Sequence, residues 1–258
     1  MENFNPGTLF IGQESHFLKE THSTNDWMNL HLKSGHPLEG CLVHADYQDK
    51  GKGRMLRAWY SDEGKNLLTS ILLRPTALKI SQQSILSFLT ALAVADTISH
   101  FIQEEVFVKW PNDVIYHDRK IAGILIENQL KGNYIDRAII GIGLNVNQPR
   151  FPDDIPGISM HLLTGRIYPR KEVLETLCRK LEARYLQWRK SETDSLIQEY
   201  NRKLYGRNRE VDIHQDQEII KGHIQSVDED GCIRIVTNDT VNRYHFNSVK
   251  LYYHGFNS

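Results

Sequence analysis

The chain has 258 residues, of which 40% are hydrophobic and 24% charged, so it can bury a core and has no compositional sign of disorder. Its formal net charge of -1 gives it no general attraction to DNA or to an anionic membrane. The three cysteines lie far apart without a C-x-x-C pair, which argues against a zinc ribbon and fits a reducing cytoplasm.

The first half of the chain predicts one helix and two strands around a long loop. Residues 23–26 (STND) are typical of a helix start, and Gly35 suits its end. Residues 40–47 and 66–73 are predicted strands, and the loop between them, 48–65, is polar and rich in glycine.

An apolar helix is predicted from residue 81 to about 103; its most apolar stretch, 85–98, is too short to span a bilayer. The N-terminal residues lack the apolar segment of a signal peptide. Further strands are predicted at 106–110, 113–116, 121–128 and 138–146, and helices at 170–190 and 193–204.

The pattern changes after Gly206 to short alternating strands separated by turns, among them a hairpin turn at 228–231 (DEDG). This pattern predicts a small SH3-like β-barrel. We therefore predict an α+β fold with two domains, residues 1–205 and 206–258, the first having a mixed or antiparallel sheet flanked by helices.

The segment 51–59 (GKGRMLRAW) places Lys52, Arg54 and Arg57 between glycines and Trp59. Glycine lets the backbone approach a ligand closely, and alternate basic residues can surround a phosphate. The segment matches neither a P-loop nor a dinucleotide-binding fingerprint. By composition alone, a solvated surface loop explains it at least as well.

Three other places combine chemical groups in ways that suit either a ligand site or ordinary structure. Residues 109–113 (KWPND) fit a binding site and a core tryptophan beside a capped turn equally well. Lys120 begins an apolar strand, where a lysine is usually a solvated edge charge. Asn145 ends another strand, as a turn residue would. The histidines have no H-x-x-x-H spacing, so no metal site built from them is predicted.

Taken in order, five motifs resemble those of the biotin protein ligases. They are STN at 23–25, Q-x-x-GKGR-x-x-R-x-W at 48–59, KWPND at 109–113, KIAGILIE at 120–127 and GIGLNVN at 141–147. Each is weak alone, but the ordered set is specific and extends from about Phe17 onwards. The resemblance implies a class II synthetase-like catalytic domain followed by an SH3-like barrel. It also implies the short form, because too few residues precede the first motif for the DNA-binding domain of longer members.

The resemblance implies a two-step ligase reaction. Biotin and ATP would form biotinyl-5'-AMP and pyrophosphate, and the adenylate would then acylate one lysine of a biotin carboxyl carrier protein. Mg²⁺ is expected with ATP, although its ligands are unknown. The expected location is the cytoplasm, without DNA or membrane partners, and homodimers are frequent in the family.

The resemblance also implies roles for residues of the biotin side. Ser23, Thr24 and Gln48 are expected to hydrogen-bond the ureido ring of biotin, and backbone groups at Gly53 and Arg54 to complete the contact. Lys52 and Lys120 are further expected biotin contacts.

Lys120 and Arg54 are the expected catalytic residues, with Lys120 at the α-phosphate and anhydride oxygens in the transition state. Arg57 is expected on the phosphate side. Trp59 and Trp110 are expected to form the apolar wall around biotin and the adenylate. The expected nucleotide contacts also include Asn112 and Asn145, and Asp113 is the expected acceptor for the incoming lysine amine.

Two departures from the family pattern lie in the glycine-rich loop. Lys52 stands where the family usually has arginine, which keeps the charge but loses the bidentate fork, so retention of the adenylate is expected to differ. Met55 and Leu56 make the loop more apolar than usual.

The alternatives are a lipoate or octanoate ligase of the same fold group, a biotin-responsive regulator without catalysis, and a scaffold with a dead site. The intact loop motif argues against the first alternative. Lys120 and both arginines argue against a dead site.

Overall fold

The computed structural model describes residues 4–54, 57–215 and 218–253, which form two β-sheets and five α-helices. The helices are α1 (Thr24–Ser34), α2 (Ser84–Phe101), α3 (Met160–Thr164), α4 (Arg170–Arg189) and α5 (Thr193–Arg202). The strands of the larger sheet are β1 (Ser15–Thr21), β2 (Leu42–Gln48), β3 (Leu67–Leu73), β4 (Phe107–Lys109), β5 (Asp113–Tyr116), β6 (Arg119–Lys131) and β7 (Tyr134–Leu144). The strands of the smaller sheet are β8 (Glu210–Gln215), β9 (Glu218–Val227), β10 (Ile233–Thr237), β11 (Thr240–Tyr244) and β12 (Lys250–Tyr253).

The larger sheet has seven strands in the order β1-β2-β3-β7-β6-β5-β4. Strands β1 and β2 are parallel, because α1 crosses over between them, and the other neighbours are antiparallel. The prediction of an α+β fold with a mixed sheet flanked by helices is therefore confirmed.

Helices cover both faces of the larger sheet. Alternate residues of β2 and β3 point to opposite faces, so Val43 and Leu72 pack with Met28 of α1, whereas Leu42 and Ile71 pack in the core of α2 and α4. A strand buried on both faces needs apolar residues throughout, which explains the near-continuous apolar sequence of β3.

Helix α2 is the central element of the core. The segment Ile80–Phe101, which includes a short 3-10 turn before α2, is long and apolar enough to cross a membrane by length and composition. However, 67% of the apolar 18-residue stretch in this segment is buried within the fold, as expected for the core helix of a folded domain.

Most predicted elements match the observed ones within a few residues. The hairpin predicted from residues 113–116 and 121–128 is β5 and β6, but β6 is longer and already includes Arg119 and Lys120. Three elements were missed: β1, α3 and β12. Strand β1 lies at the sheet edge with alternating exposed positions, so its sequence lacks the apolar run by which the inner strands were found.

The smaller sheet is antiparallel throughout, with the order β11-β10-β9-β8-β12. This arrangement is compatible with the predicted SH3-like barrel. The predicted hairpin turn at 228–231 joins β9 to β10, and Gly231 there has a positive φ of 87°. The division into domains at residues 205 and 206 stays a prediction.

The buried carboxylate of Glu182 is one of the groups of α4 that hold the N-terminal segment to this helix. Glu182 is 6% exposed and accepts three backbone N–H bonds, from Leu9 at 2.6 Å, Phe10 at 2.8 Å and Ile11 at 3.0 Å. Such charge-assisted bonds are stronger than neutral ones. Glu182 therefore fixes the chain that leads into β1.

We expect Glu182→Ala to lower the free energy of unfolding by about 3 kcal/mol, because three backbone donors lose their acceptor. Urea denaturation measures this difference. The matched control is Glu172→Ala on the exposed face of α4, which should change stability by less than about 0.5 kcal/mol. Equal effects of the two substitutions would contradict the anchoring role.

Candidate functional site

A pocket, here called the first pocket, opens where the start of α1 meets strands β3, β6 and β7 and the glycine-rich loop. Most of the residues predicted from the sequence as site residues line it. They are Ser23, Thr24, Gln48, Lys52, Gly53, Arg54, Trp59, Asn112 and Lys120.

One end of the first pocket is polar, neutral and buried. The Gln48 side-chain oxygen accepts the backbone N–H of Thr24 at 2.7 Å, which satisfies a free donor in the first turn of α1. The Ser70 hydroxyl lies 2.7 Å from the Thr24 hydroxyl and 2.6 Å from the Asn25 Oδ1. Asn25 in turn donates to Glu127 at 3.1 Å. These bonds fix the positions of donors and acceptors that a ligand would meet.

Trp59 lies against two glycines that pair across β6 and β7. Gly123 is the register partner of Gly143, and the indole occupies the space beside both. A Cβ atom added at Gly123 would come within 2.8 Å of the indole Cζ3, and one at Gly143 would overlap the ring still more. The absence of a Cβ at both glycines therefore makes room for the Trp59 ring.

Lys120 is held from three sides. Its Nζ lies 2.7 Å from Asp113 Oδ1 and 5.3 Å from the centre of the Trp59 ring. Its backbone carbonyl accepts a hydrogen bond from Asn145 Nδ2 at 3.2 Å. The lysine side chain is 35% exposed, so its charge faces the pocket while remaining open to solvent.

Two further cations, Lys52 and Arg54, line the pocket together with Lys120, and the part that these three residues form is here called the charged end. Lys52 Nζ forms an ion pair of 2.6 Å with Asp26 of α1. The guanidinium of Arg54 lies 4.1 Å from the centre of the Phe246 ring, and its Nη1 is 3.5 Å from the Asn112 Oδ1. Burial lowers the pKa of Arg54, and the nearby carboxylate of Asp113 opposes that shift.

A second pocket adjoins the first beyond Arg54 and Asn112, which line both. Trp110 lines this second pocket rather than the first, and its Nε1 donates to the carbonyl of Gly231 at 2.9 Å. Phe246 also lines it. The smaller sheet therefore contributes residues to the wall of the site.

Besides Trp110, three of the predicted residues do not line the first pocket. Arg57 is exposed, and Asp113 forms an ion pair with the pocket residue Lys120. Asn145 is 3% exposed and donates to the carbonyls of Lys120 and Ile158, so it holds the backbone around Lys120. The roles predicted for these residues remain predictions. Met55 and Leu56 lie outside the described residues.

Sequence reasoning missed the residues that shape the polar end. Asn25 was part of the first motif but was given no role, and Thr69 and Ser70 were taken as ordinary strand residues. Ser70 and Asn25 are linked directly, which no local pattern of either segment indicates. The signal that was available is the Thr69-Ser70 pair in an otherwise apolar strand.

The first pocket therefore suits a ligand with three parts. A neutral group with donors and acceptors would bind beside Thr24, Asn25 and Gln48. An apolar body would lie along Trp59, and an anionic group would reach the cationic end. Because these surroundings differ so strongly, the pocket also orients such a ligand in one direction.

Residues 17–145 match the family model described as the Biotin/lipoate A/B protein ligase family. The chain is 36% identical over 171 residues to the bifunctional ligase/repressor BirA of Bacillus subtilis, covering 62% of this chain and 52% of that protein. It is 30% identical over 218 residues to the biotin–[acetyl-CoA-carboxylase] ligase of Mycobacterium tuberculosis, covering 82% of this chain and 79% of the relative. The chain spans about half the length of the first curated relatives it matches.

Among solved structures, the fold is similar to the biotin protein ligase from Aquifex aeolicus in complex with biotin and ATP. The TM-score is 0.81 at 27% identity, and the match covers 93% of this chain and 99% of that one. The apo structure of the same protein gives a TM-score of 0.76.

We expect Gly143→Ala to destabilise the protein by about 1–3 kcal/mol, because its Cβ would overlap the Trp59 indole. The cost should largely disappear when Trp59→Ala is combined with it, since the space is then free. A double-mutant cycle by urea denaturation measures this coupling. Gly35→Ala, whose Cβ makes only ordinary contacts, should show no coupling to Trp59. Additive effects of Gly143→Ala and Trp59→Ala would contradict the packing described.

Proposed function

The chain belongs to the biotin/lipoate A/B protein ligase family, and we propose that it activates biotin with ATP and transfers biotin to a lysine of a biotin carboxyl carrier protein. The observation that carries the proposal is the order in which polar, apolar and cationic surfaces follow one another along the first pocket. Its polar end suits the ureido ring of biotin, the Trp59 wall suits the apolar ring and chain, and the cations suit the carboxylate.

In the first step, the biotin carboxylate attacks the α-phosphate of ATP, a bond forms between them, and pyrophosphate leaves. Two anionic groups must approach each other, so nearby cations are needed. Lys120 and Arg54 lie at this end of the pocket and supply positive charge, and Asp113 and the Phe246 ring already contact their side chains.

The second pocket is the proposed site of the nucleotide. It is continuous with the first through Arg54 and Asn112, and Trp110 and Phe246 give it an aromatic wall. A nucleotide bound there would bring its α-phosphate toward Arg54. Asn145 would act on this reaction through the backbone of Lys120.

In the second step, the ε-amine of the acceptor lysine attacks the carbonyl of the mixed anhydride, and AMP leaves. The amine must lose a proton to react as a nucleophile. Asp113 is the carboxylate nearest to Lys120 at this end of the pocket, at 2.7 Å, and we propose it as the group that orients the incoming amine.

Mg²⁺ fits this site as a companion of the nucleotide. Within the part of the chain that the structure describes, no group of metal ligands lies at the two pockets, and Asp113 is engaged with Lys120. Mg²⁺ usually keeps several waters and binds through substrate phosphates and one or two carboxylates. It would neutralise phosphate charge when bound with ATP, with the phosphates and water as its main ligands.

The polar end also distinguishes biotin from lipoate. The dithiolane ring of lipoate has no N–H or carbonyl group to pair with the polar side chains that line this end, among them Thr24, Asn25 and Gln48, so the pocket would lose water there without gaining a hydrogen bond. The same argument applies to the alkyl chain of octanoate. A biotin-responsive regulator would need the polar end alone, whereas the cations of the charged end suit catalysis. A cytoplasmic location and a homodimer remain predictions.

The central test is exchange of labelled pyrophosphate into ATP by the purified chain. We expect exchange that depends on biotin, because adenylation is reversible while the adenylate stays bound. Lipoate and octanoate are the matched controls and should support none. Exchange with lipoate but not with biotin would overturn the proposal.

We expect Lys120→Ala to lower the rate of adenylate formation about 100- to 1000-fold, with a much smaller change in biotin affinity, because the lysine charge acts mainly in the transition state. Single-turnover kinetics and calorimetry measure the two quantities. Lys131→Ala, at the exposed far end of the same strand, is the control and should change neither. An equal loss of rate and affinity would refute the role of Lys120.

A further inference from the structure

Outside both pockets, the fold gathers four side chains with metal-binding chemistry. They are Glu14, His16, His31 and Cys41, and one ligand atom from each lies within 4.8 Å of those of the others. The spacing of the histidines along the chain predicts no metal site, because spacing alone does not indicate a cluster of this kind. Its ligands come from separate elements that only the tertiary structure brings together.

Strand pairing places three of the four side by side. Glu14 immediately precedes β1, and His16 is two residues further along, so both point to the same face of the sheet. The parallel pairing of Ser15 with Leu42 sets Cys41 beside Glu14 on that face.

Helix α1 supplies the fourth ligand, His31, from the layer that covers this face of the sheet. It packs on the same face through Met28 and Leu32, in a cluster that includes Cys41. His31, on the same helix, lies 4.9 Å from His16 between ring centres.

Two of the distances within the cluster match those of a tetrahedral zinc site, and the others are at most 4.8 Å. Zinc bonds of about 2.0–2.3 Å imply separations of roughly 3.3–3.8 Å between ligand atoms. Glu14 Oε1 lies 3.3 Å from His16 Nε2 and 3.7 Å from His31 Nε2. Small side-chain movements would therefore complete the coordination.

Neighbouring groups hold the ligands in these orientations. The second carboxylate oxygen of Glu14 accepts the backbone N–H of Leu38 at 2.9 Å, which leaves the first oxygen toward the histidines. Trp27 stacks on His31 at 4.7 Å and 21°, and lies 5.0 Å from His16. Such outer contacts are a regular part of metal sites, because they orient the ligands before the ion binds.

We propose that Glu14, His16, His31 and Cys41 bind one Zn²⁺ ion in a four-coordinate structural site. The combination of two imidazoles and a thiolate with one carboxylate suits Zn²⁺ and not Mg²⁺ or Ca²⁺, which prefer oxygen ligands. The thiol of Cys41 would lose its proton to solvent as it binds. The three half-exposed ligands give the ion a route in, while Cys41 closes the buried side.

A bound ion would join β1, α1 and β2. Helix α1 begins with Thr24 and Asn25 of the first pocket, so the ion would brace the helix that presents them. The site itself does not depend on the proposed ligase activity.

The test is metal binding to the full chain, prepared without a histidine tag and stripped of metal by a chelator. Co²⁺ serves as a spectroscopic probe. We expect one equivalent to bind with a thiolate-to-cobalt charge-transfer band, and Zn²⁺ to displace it with a Kd of about 1 µM or lower. Saturating Zn²⁺ should raise the melting temperature by about 5 °C. Absence of the band, or binding weaker than about 100 µM, would overturn the proposal.

Cys41→Ser should remove the charge-transfer band and weaken Zn²⁺ binding about 100-fold. Cys232→Ser is the control, since Cys232 is the more accessible thiol and lies outside the cluster, and it should retain both properties. His31→Ala, at a half-exposed helix position, gives a second variant if the buried serine impairs folding, and circular dichroism checks both. A band that persists in Cys41→Ser would assign the metal to another site.

Discussion

The indole of Trp59 lies where side chains from β6 and β7 would otherwise stand, and this close approach of a loop to a sheet determines the shape of the first pocket. It requires a hydrogen in place of a Cβ at Gly123 and Gly143, which pair across the two strands. The same ring faces the ammonium group of Lys120 at 5.3 Å. A single side chain thus places the glycine-rich loop, forms the apolar wall and borders the cation on which the proposed chemistry depends.

The three parts of the first pocket are built by different means. Hydrogen bonds that link α1, β3 and β6 fix the polar end, packing fixes the wall, and paired charges fix the cationic end. Lys120 belongs to the last two parts. The ion pair with Asp113 gives the Lys120 ammonium group a protein partner in place of water. Asn145 donates a hydrogen bond to the Lys120 carbonyl and so fixes its backbone. A ligand would meet groups that are already oriented, so little ordering entropy would be lost on binding.

Much of the fold follows from local sequence, and much of the site does not. The start of α1 and the course of β3 and α2 were predicted because a polar helix-start segment and long apolar runs are local signals. Strand β1 was missed because an edge strand needs no continuous apolar run. The motifs identified Thr24, Arg54 and Lys120, but not the hydrogen bond between Asn25 and Ser70. These two residues lie 45 positions apart, and no local sequence pattern links residues at that separation.

The contacts of the smaller sheet with the second pocket bear on how freely this part of the chain can be exchanged between relatives. Its hairpin turn accepts the indole N–H of Trp110 at Gly231, the carbonyl of Asp230 accepts the hydroxyl of Ser84, and Phe246 covers Arg54. Any side chain at position 231 would collide with Ser84. A five-stranded sheet taken from a relative would therefore complete the wall of the second pocket only if it carried this turn and this phenylalanine at the same positions.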